Sequence, residues 1–81
     1  SREKWRKLIS VAPGMEEFRT VMFSRLVPNL REIGLLSDRI KPAYESAGLM
    51  KYFGGASANS LTGDDMLKQL DAEGAINLNV G

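Results

Sequence analysis

The chain has no cysteine and no histidine among its 81 residues. Without cysteine there are no disulfides, so a small secreted scaffold stapled by bridges is excluded. Thiolate and imidazole metal sites, cysteine nucleophiles and histidine general acid–base catalysis fall with the same two absences. No apolar run approaches the length that crosses a bilayer. The segment Ser1-Arg2-Glu3-Lys4-Trp5 is charged and has no apolar stretch behind it, unlike a signal peptide, so the expected compartment is cytoplasmic. Carboxylates, lysines, tyrosines and hydroxyls remain as chemical groups. The acidic neighbours Glu16-Glu17 and Asp64-Asp65 would diverge by about 100° on a helix rather than converge on a substrate. Both pairs fall where helices are expected to start, and the helix dipole accounts for them there. No stretch alternates oxygen ligands around a central glycine as a calcium loop does. Gly54-Gly55 lacks the lysine and hydroxyl of a phosphate-binding loop. The chain is therefore read as not an enzyme, with no cofactor and no metal.

What is present suits one modest core. Hydrophobic residues make up 43% and charged residues 26%, an ordinary globular balance. Size scaling gives about 4,800 Å² of folded surface against about 12,900 Å² unfolded, enough for a single domain or a piece of a larger protein. The net charge is only +1, but it is unevenly spread. Residues 1–41 carry nine Lys and Arg against five acids, and residues 42–81 carry two against five. Such asymmetry either draws the two halves together or orients a docking partner.

Helical periodicity runs through most of the chain. Trp5, Leu8, Ile9 and Ala12 predict a first helix over about residues 2–11, ended by Pro13-Gly14. Met15, Phe18, Met22, Leu26, Leu30 and Ile33 follow steps of three and four, which predicts one long buried helix kinked by Pro28. Ser37-Asp38 reads as the start of a third helix, interrupted early by Pro42, and Leu49–Phe53 as a further apolar turn. Residues 54–60 are small and polar and read as an internal linker. Thr62-x-x-Asp65 is a capping-box variant, with Leu61 and Met66 as a hydrophobic staple, and opens a fourth helix over about 63–73. The expected fold is all-α, a small irregular bundle of four main helices with an extended tail over 75–81.

Two segments share the layout P-x-φ-x-x-x-G-L-φ, one beginning at Pro28 and the other at Pro42. Each reads as a helix stop in which glycine turns left-handed and the following leucine packs back. The second, Tyr44-Glu45-Ser46-Ala47-Gly48-Leu49-Met50, resembles the Y-E-x-x-G-L-φ segment of MerR-type regulators over seven residues. That resemblance implies DNA binding, but the winged helix-turn-helix that precedes the segment in the family has no counterpart here. A simple helix-turn-helix over Leu30–Ile40 places Leu30 where a small residue is usual and Pro42 inside the recognition helix.

Interaction is the remaining function class. Trp5 and Arg6 sit on a basic amphipathic segment, and Trp and Arg are residue types that anchor interfaces. In the tail, Ile76, Leu78 and Val80 alternate with Asn77 and Asn79 like one face of a strand, with no second strand in the chain to pair it. These five residues, Trp5, Arg6, Ile76, Leu78 and Val80, form the candidate interface, and the partner is another protein or a second copy. The expected role is a non-catalytic docking, assembly or dimerisation module. A non-catalytic terminal segment of a larger helical enzyme is the alternative, and nucleic-acid binding comes third.

Overall fold

Asparagine and proline divide what periodicity alone would join. A computed structural model describes residues 2–10, 12–24, 26–27 and 29–78. Its α-helices are α1 (Arg2–Ile9), α2 (Glu16–Ser24), α3 (Leu30–Ser46) and α4 (Gly63–Ala72), with 3-10 helices over Met50–Phe53 and Gly55–Ser60. The fold is the expected small all-α bundle, with four α-helices and no strand among the described residues. The folded surface is 4741 Å², which matches the value expected of one core.

The single helix expected from Met15 to Ile33 is two helices. α2 ends at Ser24, whose hydroxyl donates to the Val21 carbonyl. α3 starts after Asn29, whose Oδ1 accepts from the Glu32 N–H at 2.9 Å as an N-cap. A proline disfavours helical geometry in the residue before it, which makes 25–29 the natural place for a break. Pro28 itself lies outside the described residues. With the register broken, Leu26 and Leu30 do not share the buried face of Phe18 and Met22, and both are exposed.

α3 then runs through Gly34, Ser37 and Pro42, so Gly34 is not a stop and Ser37 is not an N-cap. Pro42 frees the Asp38 carbonyl, but both residues lie on the solvent side, where water accepts that role. Leu36, Ile40 and Tyr44 face inward. The second P-x-φ-x-x-x-G-L-φ segment does end the helix. Gly48 has φ +71°, its N–H donates to the Glu45 carbonyl, and the Leu49 N–H donates to the Tyr44 carbonyl at 2.8 Å. This is a Schellman motif, with Leu49 and Tyr44 both buried. Gly74, φ +77°, closes α4 the same way through Asp71 and Leu70.

The capping box of α4 is complete. The Asp65 N–H donates to Thr62 Oγ1 at 3.1 Å and the Thr62 N–H to Asp65 Oδ2 at 2.9 Å. Hydrogen bonds to its carboxylate from the Thr62 backbone N–H and the Thr62 hydroxyl hold the Asp65 carboxyl below the usual carboxylate range. Leu61 packs on the core beside buried Met66, as the staple requires.

One continuous core takes side chains from every α-helix. Tyr44 sits among rings from three other segments: Trp5 (6.1 Å between centroids), Phe18 (5.7 Å) and Phe53 (5.0 Å). Trp5 and Phe53 are 4.5 Å apart. Around these rings lie Ile9, Met22, Leu36, Ile40 and the α4 residues Met66, Leu67 and Leu70. Two basic side chains fasten connections onto helices. Arg19 of α2 donates to the carbonyls of Ile9 and Ala12, taking up acceptors that the end of α1 leaves open. Lys41 of α3 donates to the carbonyls of Asn59 (3.0 Å) and Leu61 (2.7 Å). Residues 55–60, expected as linker, are thus wound into a 3-10 helix with Ala58 buried.

Candidate interaction surface

Three of the five candidate interface residues turn inward. Trp5 is fully buried, so its role is core packing. Ile76 is only 4% exposed and belongs to the same core cluster. Leu78 is half-buried against that cluster, and its N–H donates to Asp71 Oδ1 at 3.3 Å. The start of the tail therefore folds back on its own domain. Its strand-like alternation does find a partner, because Asn77 makes a parallel bridge to Leu26 and accepts from the Val27 N–H at 3.0 Å. That segment, just before Pro28, was hidden from a reading in which residues 15–33 were all helical. Val80 lies outside the described residues.

Arg6 does reach the surface. Its guanidinium lies over the Phe23 ring, 4.7 Å from the centroid, and joins α1 to the end of α2. Glu3, Arg6, Lys7, Ser10 and Phe23 line an open cleft of about 370 Å³ at this edge. Helical spacing puts Glu3, Arg6 and Lys7 on one side of α1, with Ser10 just past its end. Lys4 lies on the other, where its ammonium pairs with Glu73 at 3.0 Å. Neither Arg6 nor Lys7 forms an ion pair with a carboxylate among the described residues.

Apolar surface continues from the cleft along the chain. Phe23 is 56% exposed, Leu26 48% and Leu30 73%. The three fall within eight consecutive residues that span the α2–α3 junction. Sequence reading missed it because the helical pattern of Phe18, Met22, Leu26 and Leu30 suggested continuous burial. The visible signal was Asn29-x-x-Glu32, a helix-start pattern immediately after proline.

Several titratable groups elsewhere have structural partners. Glu17 pairs with Arg39 at 3.1 Å, and Asp64 accepts from the Ser37 hydroxyl at 2.9 Å. Partial burial works to raise the Glu73 carboxyl, but hydrogen bonds from Lys4 and Gln69 outweigh it and hold the group below its usual range. Burial pushes the Tyr44 phenol well above its ordinary value. The Tyr44 hydroxyl and the Trp5 indole N–H are both buried without a hydrogen-bond partner among the described residues. No group of three or more metal-ligating side chains occurs among the described residues. None of their helices is long and apolar enough to cross a membrane.

No protein-family model, curated protein or solved structure matches this chain. The segment resembling MerR-type regulators is accounted for by its local role, since Tyr44, Gly48 and Leu49 are the working parts of the helix stop that closes α3.

Proposed function

We propose that this domain is a non-catalytic docking or assembly module, acting in the cytoplasm, that engages a protein partner through the α2–α3 junction. The observation that carries this reading is the exposure of Phe23, Leu26 and Leu30 within eight consecutive residues. Scattered apolar residues on a surface need no explanation, whereas a local group of large ones marks an interaction area. Fully burying one such side chain is worth about 1.5–3 kcal/mol, so three together can supply much of a modest binding energy. The α1 helix contributes Arg6 and Lys7 as a polar margin, in keeping with an apolar centre and a charged rim.

Photo-crosslinking tests the assignment. A photoreactive residue at position 30 should give a discrete protein adduct that the same residue at exposed Glu45, near the other end of α3, does not give. Equal labelling from both positions, or none from position 30, would overturn it.

A further inference from the structure

We propose that the α1–α2 cleft and the adjoining α2–α3 junction receive an acidic amphipathic segment of another protein, with apolar side chains on Phe23, Leu26 and Leu30 and carboxylates on Arg6 and Lys7. This rests on the docking role proposed above and adds the chemistry of the partner. The first support is charge. Arg6 and Lys7 flank the cleft and meet no carboxylate among the described residues, although Glu3 lies on the same side of α1. Among the other described cations, Lys4, Arg39, Arg19 and Lys41 are engaged by a carboxylate or by backbone carbonyls, and Arg31, Lys51 and Lys68, which form no such pair among the described residues, do not line the cleft. The second support is the join between the two surfaces, since Phe23 lines the cleft and is also the first member of the apolar group. A ligand lying across both meets apolar surface and cations side by side, as the acidic face of an amphipathic helix would present to them.

Two other occupants fit less well. A second copy would have to supply the acids, but its acidic half is largely committed: Asp64 to Ser37, Asp65 to the Thr62 cap and Glu73 to Lys4. Nucleic acid would meet cations that suit phosphates, but Leu26 and Leu30 offer a phosphate backbone nothing.

The test uses the whole chain and four probes. The first is a helical peptide of about fourteen residues with Leu at core-facing spacing and Asp and Glu elsewhere. The second carries Lys in place of every acid, the third Ser in place of every Leu, and the fourth is single-stranded oligo-dT of similar charge. Fluorescence anisotropy should show the first peptide binding at least about tenfold more tightly than each of the others, with affinity falling as salt rises. Arg6→Glu combined with Lys7→Glu should reverse the preference between acidic and basic peptides, and Leu30→Ser should weaken both. Circular dichroism on each variant verifies that it remains folded. Equal binding of acidic and basic peptides would overturn the proposal, as would oligo-dT binding equally well and insensitive to Leu30→Ser. A light-scattering mass that doubles with concentration and is restored to monomer by Leu30→Ser would overturn it in favour of a second copy. A discrete adduct from position 30 without preference for the acidic peptide defeats this inference alone; absence of the adduct defeats the docking role itself.

Discussion

Replacing Gly63 by alanine should loosen the contact between α3 and α4. Gly63 is the first residue of α4, and a Cβ there would lie 1.9 Å from the Ser37 carbonyl oxygen and 2.8 Å from its carbonyl carbon. Both are backbone atoms in the middle of α3, so no side-chain rotation relieves the overlap. The first turn of α4 has to move away by more than an ångström-scale adjustment. That movement strains the Ser37–Asp64 hydrogen bond and the two Lys41 bonds just before the helix. Overpacking of this kind costs about 1–3 kcal/mol, and a lost hydrogen bond adds about 0.5–1.5 kcal/mol. Alanine's advantage over glycine in a helix offsets about 0.5–1 kcal/mol. The net expectation is a loss of about 2–3 kcal/mol, or about 8–24 °C in melting temperature for a domain of this size. Far-UV circular dichroism during thermal and urea unfolding gives both numbers. A Gly63→Ala protein melting within about 2 °C of the wild type would refute the close approach of α4 to Ser37.

Gly34 provides the opposite sign: it is inside α3 with nothing within 4 Å of an added Cβ, so Gly34→Ala should stabilise by about 0.5–1 kcal/mol in the same assay. Tyr44→Phe removes a buried hydroxyl that has no partner among the described residues and should be neutral or stabilising by up to about 1 kcal/mol; a loss above that in urea titration would mean the hydroxyl is satisfied. Ile76→Ala should cost about 2–5 kcal/mol, and an unchanged midpoint would show that the tail does not complete the core. Asp65 and Glu73 have depressed folded-state pKa values, so what they contribute is present above the ordinary carboxylate range and is lost as pH falls below about 4. Asp65→Asn should therefore lessen the fall in urea midpoint between about pH 7 and pH 3, and an undiminished fall would rule out its part in acid sensitivity.

Local grammar was legible where side chains act on their own backbone. Thr62, Asp65, Leu61 and Met66 define the start of α4 within six residues of sequence, and the structure builds the cap they specify. Gly48 and Gly74 end their helices for an equally local reason. Gly34 occupies the same pattern position as Gly48, yet inward packing of Ile33, Leu36 and Ile40 carries the helix through it. Tertiary contact overrides the stop signal there. The exposed surface at the α2–α3 junction was concealed by a coincidence of spacing: Leu26 and Leu30 continue the Phe18–Met22 rhythm, although Asn29 resets the helix between them. Arg19 and Lys41 gave no sequence signal, because their acceptors are backbone carbonyls up to twenty positions away in the chain.

The burial of Trp5 has a consequence for the order of events during synthesis. α1 is only eight residues long, too short to persist alone in water. Trp5, from α1, stacks on Phe53 and meets Tyr44, while the neighbouring Lys4 pairs with Glu73. Because α1 is made before these partners, it waits for residues some forty to seventy positions behind it before it can be held in place. Until they arrive, the indole is exposed, and a chaperone or ribosome-bound factor that samples nascent aromatic residues can meet it there.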